Sequence, residues 1–514
     1  MSKFANEIWK SDMDCFKEAT EKFYNKELSA KDYKGISGGY GSYAQRGGET
    51  SMIRLRMVGG RITKEKLRFL VESIEKHKVN KVHFTTCQTV QYHNLKPATL
   101  YKIMEQALNY GIVTRGGGGD FPRNVMASPL SGVEQGEYFD VMPYVEEASD
   151  YLMAFIKTVK LPRKLKVGFS NSDKNIPHAT FRDLGFVARE DGTFDVYSAG
   201  GLGNNPKMGL KVAEAVEPSK VLYYIKAMVK MFVAYGNYEN RGKARTRYMQ
   251  DTLGVDGYIQ AYQKKLEEVM KEETNLDLDV VPTCITKQPD GVVVSGKRII
   301  PQKQEGLYSV FYHPIGGTPD PGKLRKIYEV IKDMDQVELR LSPDESVYII
   351  NCNGKEAQKV LKATADGAET IFEASVSCIG ASVCQVGVRD SQGLMEQLVA
   401  MSREQKFADG ILPKVHISGC PSSCGTHQIG RIGFHGCVKV IDKVPNPAFT
   451  LHINGYEEQG KERFAEKLGV ILEKDIPEFL CTVGKTVELA GVTYEEWIQD
   501  HEATLKEIAE KYLV

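Results

Sequence analysis

The chain has 514 residues, 42% of them apolar and 26% charged, with 67 basic residues balancing 67 acidic ones. That length can bury three or four ordinary cores, and the charge balance gives no global field to draw the chain to nucleic acid or to an anionic bilayer. No apolar run is long enough to span a membrane, and ten cysteines are too sparse for a disulfide scaffold.

The first fifteen residues carry Lys3, Glu7, Lys10, Asp12 and Asp14 and have no apolar h-region. A signal peptide is therefore not expected, and a reducing cytoplasm is the default compartment. They open an N-terminal extension spanning residues 1–45. The chain then repeats itself. Residues 51–60 (Ser-Met-Ile-Arg-Leu-Arg-Met-Val-Gly-Gly) line up 257 positions later with 308–317, setting Gly59-Gly60 on Gly316-Gly317. The same offset sets Lys66-Leu67-Arg68 on Lys323-Leu324-Arg325, Glu72 on Glu329 and Ile74 on Ile331, with no gap over more than forty residues. Identities held in one register point to duplication.

Each copy reads as a strand, a Gly-Gly turn, a helix with an apolar stripe (Leu67, Leu70, Val71, Ile74), two strands and a second helix. That β-α-β-β-α order predicts an α+β module with a mostly antiparallel sheet, at 46–112 and again at 301–368. A looser echo joins the segments that follow. Leu161-Pro162-Arg163-Lys164-Leu165-Lys166, leading to Asp183-Leu184-Gly185-Phe186, parallels Leu412-Pro413-Lys414-Val415-His416-Ile417, leading to Arg431-Ile432-Gly433-Phe434. The order is A-B-A′-B′, with B at 113–280, a linker at 281–300 marked by Pro282, Pro289 and Gly291, and B′ at 369–514. A pseudo-twofold molecule with a cofactor between its halves is expected. Within B, the run Gly116-Gly117-Gly118-Gly119 predicts a pliable turn.

Four of the ten cysteines are bunched, as Cys378-x5-Cys384 and Cys420-x3-Cys424, with 35 residues between the pairs. Four soft thiolates suit zinc or an iron–sulfur cluster. The five-residue gap fits a tight zinc knuckle poorly. Gly380, Gly387, Gly419, Gly425 and Gly430 let backbone N–H groups approach a bulky inorganic core, which favours the cluster.

With the cysteines placed, the chain from about Gly39 onward resembles the sirohaem-dependent sulfite and nitrite reductases. Ser418-Gly419-Cys420-Pro421-Ser422-Ser423-Cys424 looks close to that family's version of the motif. The resemblance implies a duplicated α+β fold with two ferredoxin-like half-domains and two sirohaem- and cluster-binding domains. It implies a [4Fe–4S] cluster on Cys378, Cys384, Cys420 and Cys424, with Cys424 bridging to the sirohaem iron. It carries the substrate-anion role to Arg56 in Arg-Leu-Arg-Met-Val-Gly-Gly, Arg123 in Phe-Pro-Arg-Asn-Val-Met, and Lys164 and Lys166 in Leu-Pro-Arg-Lys-Leu-Lys. Sirohaem contacts fall on Gln45, Arg46, Arg54, Gln88, Gln91, His93 and the Arg241, Lys243 and Arg245 of a basic helix at 240–248. Any one of these cations alone reads as a solvated surface charge. As a set they meet a need, because a small oxyanion and a tetrapyrrole with eight carboxylates must be neutralised where they are buried.

The implied reaction is six-electron reduction of sulfite to sulfide. Lys166 stands where nitrite-preferring members tend to carry an uncharged residue, and a second cation favours the dianion. Nitrite reduction is the nearest alternative. A precorrin-ring monooxygenase and a cluster-only electron carrier without sirohaem stand further off. No strand–GxGxxG–helix unit is present, so the electron donor is expected to be a separate protein, a ferredoxin or a flavoprotein subunit. One departure stands out: Thr85-Thr86-Cys87-Gln88 where the family normally continues Thr-Thr-Arg-Gln. Cys87 then reads as a small buried hydrophobe, and either another basic residue takes over the missing guanidinium's work or the affinity for the cofactor is lower.

Overall fold

The computed structural model describes residues 6–514; Lys3, among the charges read at the N-terminus, lies outside the described residues. The repeat folds twice in the same order. Strand Ser51–Arg56, helix Lys64–His77, strands Val82–Phe84 and Thr89–Leu95 and helix Pro97–Leu108 are answered by Tyr308–Tyr312, Pro321–Ile331, Glu338–Leu341, Val347–Cys352 and Gly354–Ala363. In both copies the last strand lies between the other two, antiparallel to each. Helix Lys64–His77 starts where the Thr63 hydroxyl accepts from Lys66 N–H, and it buries Leu67, Leu70, Val71 and Ile74, the predicted stripe.

The two half-domains share one core. Strand Arg61–Ile62 of the first copy pairs with Glu338–Leu341 of the second (Ile62 with Leu339, Arg61 with Arg340). Leu55, Leu67 and Val90 pack in one apolar cluster with Val310, Leu324 and Ile349. The Gly-Gly turns permit this closeness: Gly59 and Gly316 have φ of 57° and 59°. A Cβ on Gly60 would stand 2.4 Å from the Leu341 carbonyl oxygen.

The B segments also share a topology. Strands Met126–Ala127, Val167–Ser170 and Leu184–Ala188 run parallel, and Phe194–Ser198 and Leu210–Val216 follow antiparallel. Val376–Ser377, Val415–Ser418, Ile432–Ile441, Val444–Ile453 and Glu466–Leu472 repeat that order. Each segment has its own core. The looser echo thus marks corresponding strands, and Asp183 and Arg431 stand at the entrance to the third strand of each sheet. The extension folds as helices Asn6–Tyr24 and Ala30–Ser37. They are fixed by Trp9 against Leu108, Met153 and Ile156, and by an Asp12–Arg115 ion pair of 2.8 Å. Among the described residues no helix is long and apolar enough to cross a membrane.

Two local expectations are corrected. The run 116–119 is tightly packed: a Cβ would stand 2.8 Å from Arg56 Nη1 at Gly116 and 2.4 Å from the Gly38 carbonyl oxygen at Gly118. Glycine is needed there for close approach, and the turn is not a pliable one. The segment 240–248 is no basic helix either. It forms two short 3₁₀ turns, Arg241–Lys243 and Thr246–Tyr248, because the Asn240 side chain accepts from Gly242 N–H and closes the first turn early.

Candidate active site

Both cysteine pairs begin just beyond the C-terminal ends of parallel strands, where open α/β sheets place ligands. Cys378 follows Val376–Ser377, and the loop holding Cys420 and Cys424 follows Val415–Ser418. Gly419 N–H donates to Cys378 Sγ at 3.1 Å, and Ser391 Oγ lies 3.3 Å from the same sulfur. Gly425 has no room for a side chain, since a Cβ would stand 2.0 Å from the Ile417 carbonyl oxygen. Burial and the neighbouring Cys424 push the Cys378 thiol up to about 12. Burial likewise raises Cys424, with Cys420 and Cys384 adding to it and Lys164 opposing. The four sulfurs therefore sense one another, and each thiolate is costly until a metal neutralises it.

Facing the cysteines is a recess of cations. The alternation Lys164-Leu165-Lys166 turns Leu165 into the core, where its carbonyl accepts from Arg123 N–H at 2.8 Å, and aims both lysines the other way. Burial, reinforced by Arg245, Lys166 and Arg123, drives Lys164 well below its ordinary value. Burial also lowers Lys166, with Cys87 opposing and Arg182 and Arg245 adding to the shift. Arg123 uses its two terminal nitrogens on Gly117 O (3.0 Å) and Gly119 O (2.9 Å), while its Nε is buried without a partner. Arg56 donates to Pro122 O at 3.0 Å and Arg123 O at 2.9 Å; burial and Arg123 bring it down to about 9. Its guanidinium thus shapes the loop that presents Arg123. Among the described residues Arg54, Arg56, Arg123, Lys164, Lys166 and Arg182 have no carboxylate within ion-pair distance.

Uncompensated positive charge on this scale is held inside a protein only for an anion. The donor set suits a polycarboxylate tetrapyrrole and an oxyanion, and the orphaned Nε atoms of Arg123 and Arg245 and Nη1 of Arg247 leave donors for them. Only Arg245 has a fixed counter-charge, its Nη2 lying 3.0 and 2.9 Å from the two oxygens of the buried Asp183.

The remaining expected contacts divide. Arg54 faces Gln91, whose amide oxygen accepts from Arg54 Nε (3.1 Å) and Nη2 (2.8 Å) while its nitrogen donates to His93 Nε2 (3.1 Å). These three form one network beside Cys87, and His93 keeps a buried, unpartnered Nδ1. Arg46 donates to Gly387 O at 2.6 Å and so grips the cluster loop, whereas Gln45 is tied to Asn94 by two hydrogen bonds of 3.0 and 2.6 Å. Gln88 spends its whole amide on backbone: it donates to Ala127 O (2.9 Å) and Leu341 O (2.7 Å) and accepts from Ala127 N–H (2.9 Å). It clasps the two halves and has nothing left for a cofactor. Arg241 pairs with Asp120 at the surface and Lys243 is exposed, so neither joins the recess.

Cys87 is not the small hydrophobe expected. The turn carrying it rests on the cluster loop, where the Thr86 hydroxyl donates to Cys424 O at 2.8 Å. Burial works to raise its thiol, but Lys166, Arg182 and Arg54 outweigh that and bring it to about 6. Arg182 was missed by sequence reasoning. It is buried, with Nε donating to Pro177 O at 2.9 Å and Nη2 meeting His178 Nδ1 at 3.2 Å. His178 Nε2 in turn meets Glu457 at 2.8 Å. The only signal for it was an Arg-Asp pair opening an apolar strand.

Comparison with known proteins matches residues 118–270 to the nitrite and sulphite reductase 4Fe-4S domain and residues 43–110 to the nitrite/sulfite reductase ferredoxin-like half domain. The segment 118–270 contains no cysteine; the four bunched cysteines lie in the second copy. The chain is 24% identical over 403 residues to the chloroplastic ferredoxin–nitrite reductase of Arabidopsis thaliana, covering 75% of this chain and 67% of that one. It is 24% identical over 421 residues to the sulfite reductase [ferredoxin] 1 of Mycolicibacterium paratuberculosis, covering 79% and 73%. The solved structure of the Mycobacterium tuberculosis NirA protein superposes with a TM-score of 0.73 at 22% identity, over 90% of this chain and 89% of that one.

Proposed function

From the premise that the chain belongs to the nitrite and sulfite reductase family, we propose that it reduces sulfite to sulfide with electrons from a separate donor protein of the ferredoxin kind. Six electrons and seven protons convert sulfite to hydrosulfide and three waters. The family's cofactors are a sirohaem and a [4Fe–4S] cluster, and the donor sets described above fit both. When bound, they would relay the donor's electrons and supply the iron that takes the oxyanion. The chain's own residues supply the rest. Cys378, Cys384, Cys420 and Cys424 would hold the cluster, and we assign Cys424, whose thiol feels the charge of Lys164, to both groups. Arg123, Lys164 and Lys166 neutralise the anion, Arg56 holds the loop carrying Arg123, and the depressed lysines are poised to hand protons to departing oxygens.

The observation that carries sulfite over nitrite is the pair of half-buried lysines that, among the described residues, have no carboxylate within ion-pair distance. Sulfite, unlike nitrite, has a well-populated dianionic form at neutral pH, and each cation acts on that form with twice the Coulomb energy it has for a monoanion. Ferredoxin as donor rests on the relatives' names. Those names also favour nitrite as a second reading, since several relatives are ferredoxin–nitrite reductases. The test is anaerobic steady-state kinetics of the holoenzyme with reduced methyl viologen. A kcat/KM for sulfite above that for nitrite supports the proposal; a tenfold preference for nitrite sinks it.

A further inference from the structure

Three histidines from three segments converge beside the cluster loop. His427 follows Cys424 by three residues, His435 lies in strand Ile432–Ile441, and His452 lies in strand Val444–Ile453. One ring nitrogen from each lies within 4.8 Å of the others. His435 Nδ1 and His452 Nε2 are 2.9 Å apart, and the ring centroids are separated by 4.8, 4.9 and 5.0 Å. The strand register pairs His435 with Thr450 and Gly433 with His452, so the two strand histidines are diagonal neighbours on one face. His427 and His452 are buried and His435 is half-buried.

We propose that His427, His435 and His452 form a binding site for a divalent ion of the zinc class, separate from the four cysteines. Three imidazoles are a recurring protein ligand set for zinc, with water or a further group in the fourth position, and the half-open side at His435 leaves room for one. No carboxylate belongs to the set, which disfavours magnesium and calcium. The outer shell is in place as well. Ser418 Oγ lies 2.9 Å from His427 Nδ1 and accepts from Gly425 N–H at 3.0 Å. A donating Nδ1 leaves His427 Nε2 with the bare lone pair, the arrangement outer-shell partners impose on metal-binding imidazoles.

A purely hydrogen-bonded trio accounts for less. Among the described residues a hydrogen bond joins only two of the three rings: one proton serves the His435–His452 contact, and His427 is bonded to Ser418 and to neither ring. Burial keeps all three rings below their ordinary value, His435 and His452 at about 4, so they are neutral and free to ligate at neutral pH. The charged group acting on the two strand histidines is Lys467, which is exposed, so its ammonium can turn away from a bound cation. Because Ser418 and Gly425 flank the cysteine loop, an ion here would brace that loop against the antiparallel strands.

The test uses the holoenzyme dialysed against zinc chloride and then passed over a chelating resin, with zinc and iron counted by mass spectrometry. The expected result is about one zinc per chain in the wild type, lost in both His435→Asn and His452→Asn, with iron unchanged. Zinc K-edge absorption of the wild type should show nitrogen scatterers and no sulfur, a readout that does not depend on the variants folding. Equal zinc in wild type and variants, no retained zinc, or sulfur in the zinc shell would each overturn the proposal.

Discussion

Among the described residues Asp183 is the carboxylate ion-paired to a cation of the recess, and replacing it with asparagine tests whether the cations there are held as described. Its fully buried carboxylate accepts from Arg245 Nη2 at 3.0 and 2.9 Å, from Lys166 N–H at 2.8 Å and from the Thr246 hydroxyl. Asp183→Asn keeps the shape but puts an NH2 group where donors converge and leaves Arg245 without a counter-charge. Removing one partner of a buried ion pair costs about 3–5 kcal/mol. For a cooperative unit of about 150–250 residues, each kcal/mol lowers the melting temperature by roughly 2–4 °C, so a fall of roughly 6–20 °C is expected. The same change leaves the recess one charge more positive. Added sulfite or sulfate should then stabilise the variant more than the wild type. Thermal melts followed by circular dichroism, with and without oxyanion, read both effects. A variant melting within about 2 °C of the wild type would refute the placement of Asp183 as the keystone of the recess.

Lys166→Asn should lower kcat/KM for sulfite more than for nitrite, roughly tenfold or more in the ratio, since a cation about 4 Å from the substrate is worth several kcal/mol per anionic charge at an effective dielectric of 20; an unchanged ratio would remove Lys166 from the specificity argument. Cys424→Ser should abolish activity and uncouple the cluster and tetrapyrrole signals in electron paramagnetic resonance, and full activity with coupled spectra would show that Cys424 does not serve both groups. Cys87 has its folded pKa near 6 against an ordinary 9.0. Its ionisation therefore contributes stability fully above pH ~9, and that contribution is lost as pH falls toward ~6. The stability gap between wild type and Cys87→Ala in urea titrations should accordingly be wider at pH 9 than at pH 5.5, and a gap independent of pH would mean that the thiol is not held as an anion.

What the sequence made legible followed from regularities that survive folding. The offset of 257 exposed the duplication because both copies keep the same strand and helix boundaries. The cysteine pairs were visible because a four-sulfur site needs its ligands in two short loops. Residues whose roles depend on where the chain comes together were not legible. Gln88 sits in the turn just before strand Thr89–Leu95, and its left-handed backbone (φ 54°) turns its amide toward Leu341 of the other half. The basic run 240–248 resembles a helix of the family, but Asn240 closes a tighter turn there and Lys243 is left exposed. Arg182 enters the recess only because the Pro177 and His178 groups hold its guanidinium there.

The duplication also gives Cys87 a meaning that the missing arginine alone does not. The offset sets Gln88 on Glu345 and Cys87 on Asp344. Gln88 and Glu345 both have left-handed backbones, φ 54° and 69°, and each accepts a backbone N–H at 2.9 Å from the first parallel strand of the segment that follows, Ala127 in one half and Ser377 in the other. The turns are thus one device used twice. At the preceding position each presents an acid to a lysine: Asp344 lies 2.7 Å from Lys414, and the Cys87 thiol is lowered by Lys166. In the second half the pair is a permanent ion pair that closes the turn. In the first half the same turn opens on the cationic recess, where a fixed carboxylate would compete with the substrate for Lys166. A thiol is a weaker acid than a carboxylate, so Cys87 holds Lys166 less firmly than Asp344 holds Lys414. Positions 87 and 344 thus each carry an acid, and Arg182 sets a guanidinium charge beside the first of them.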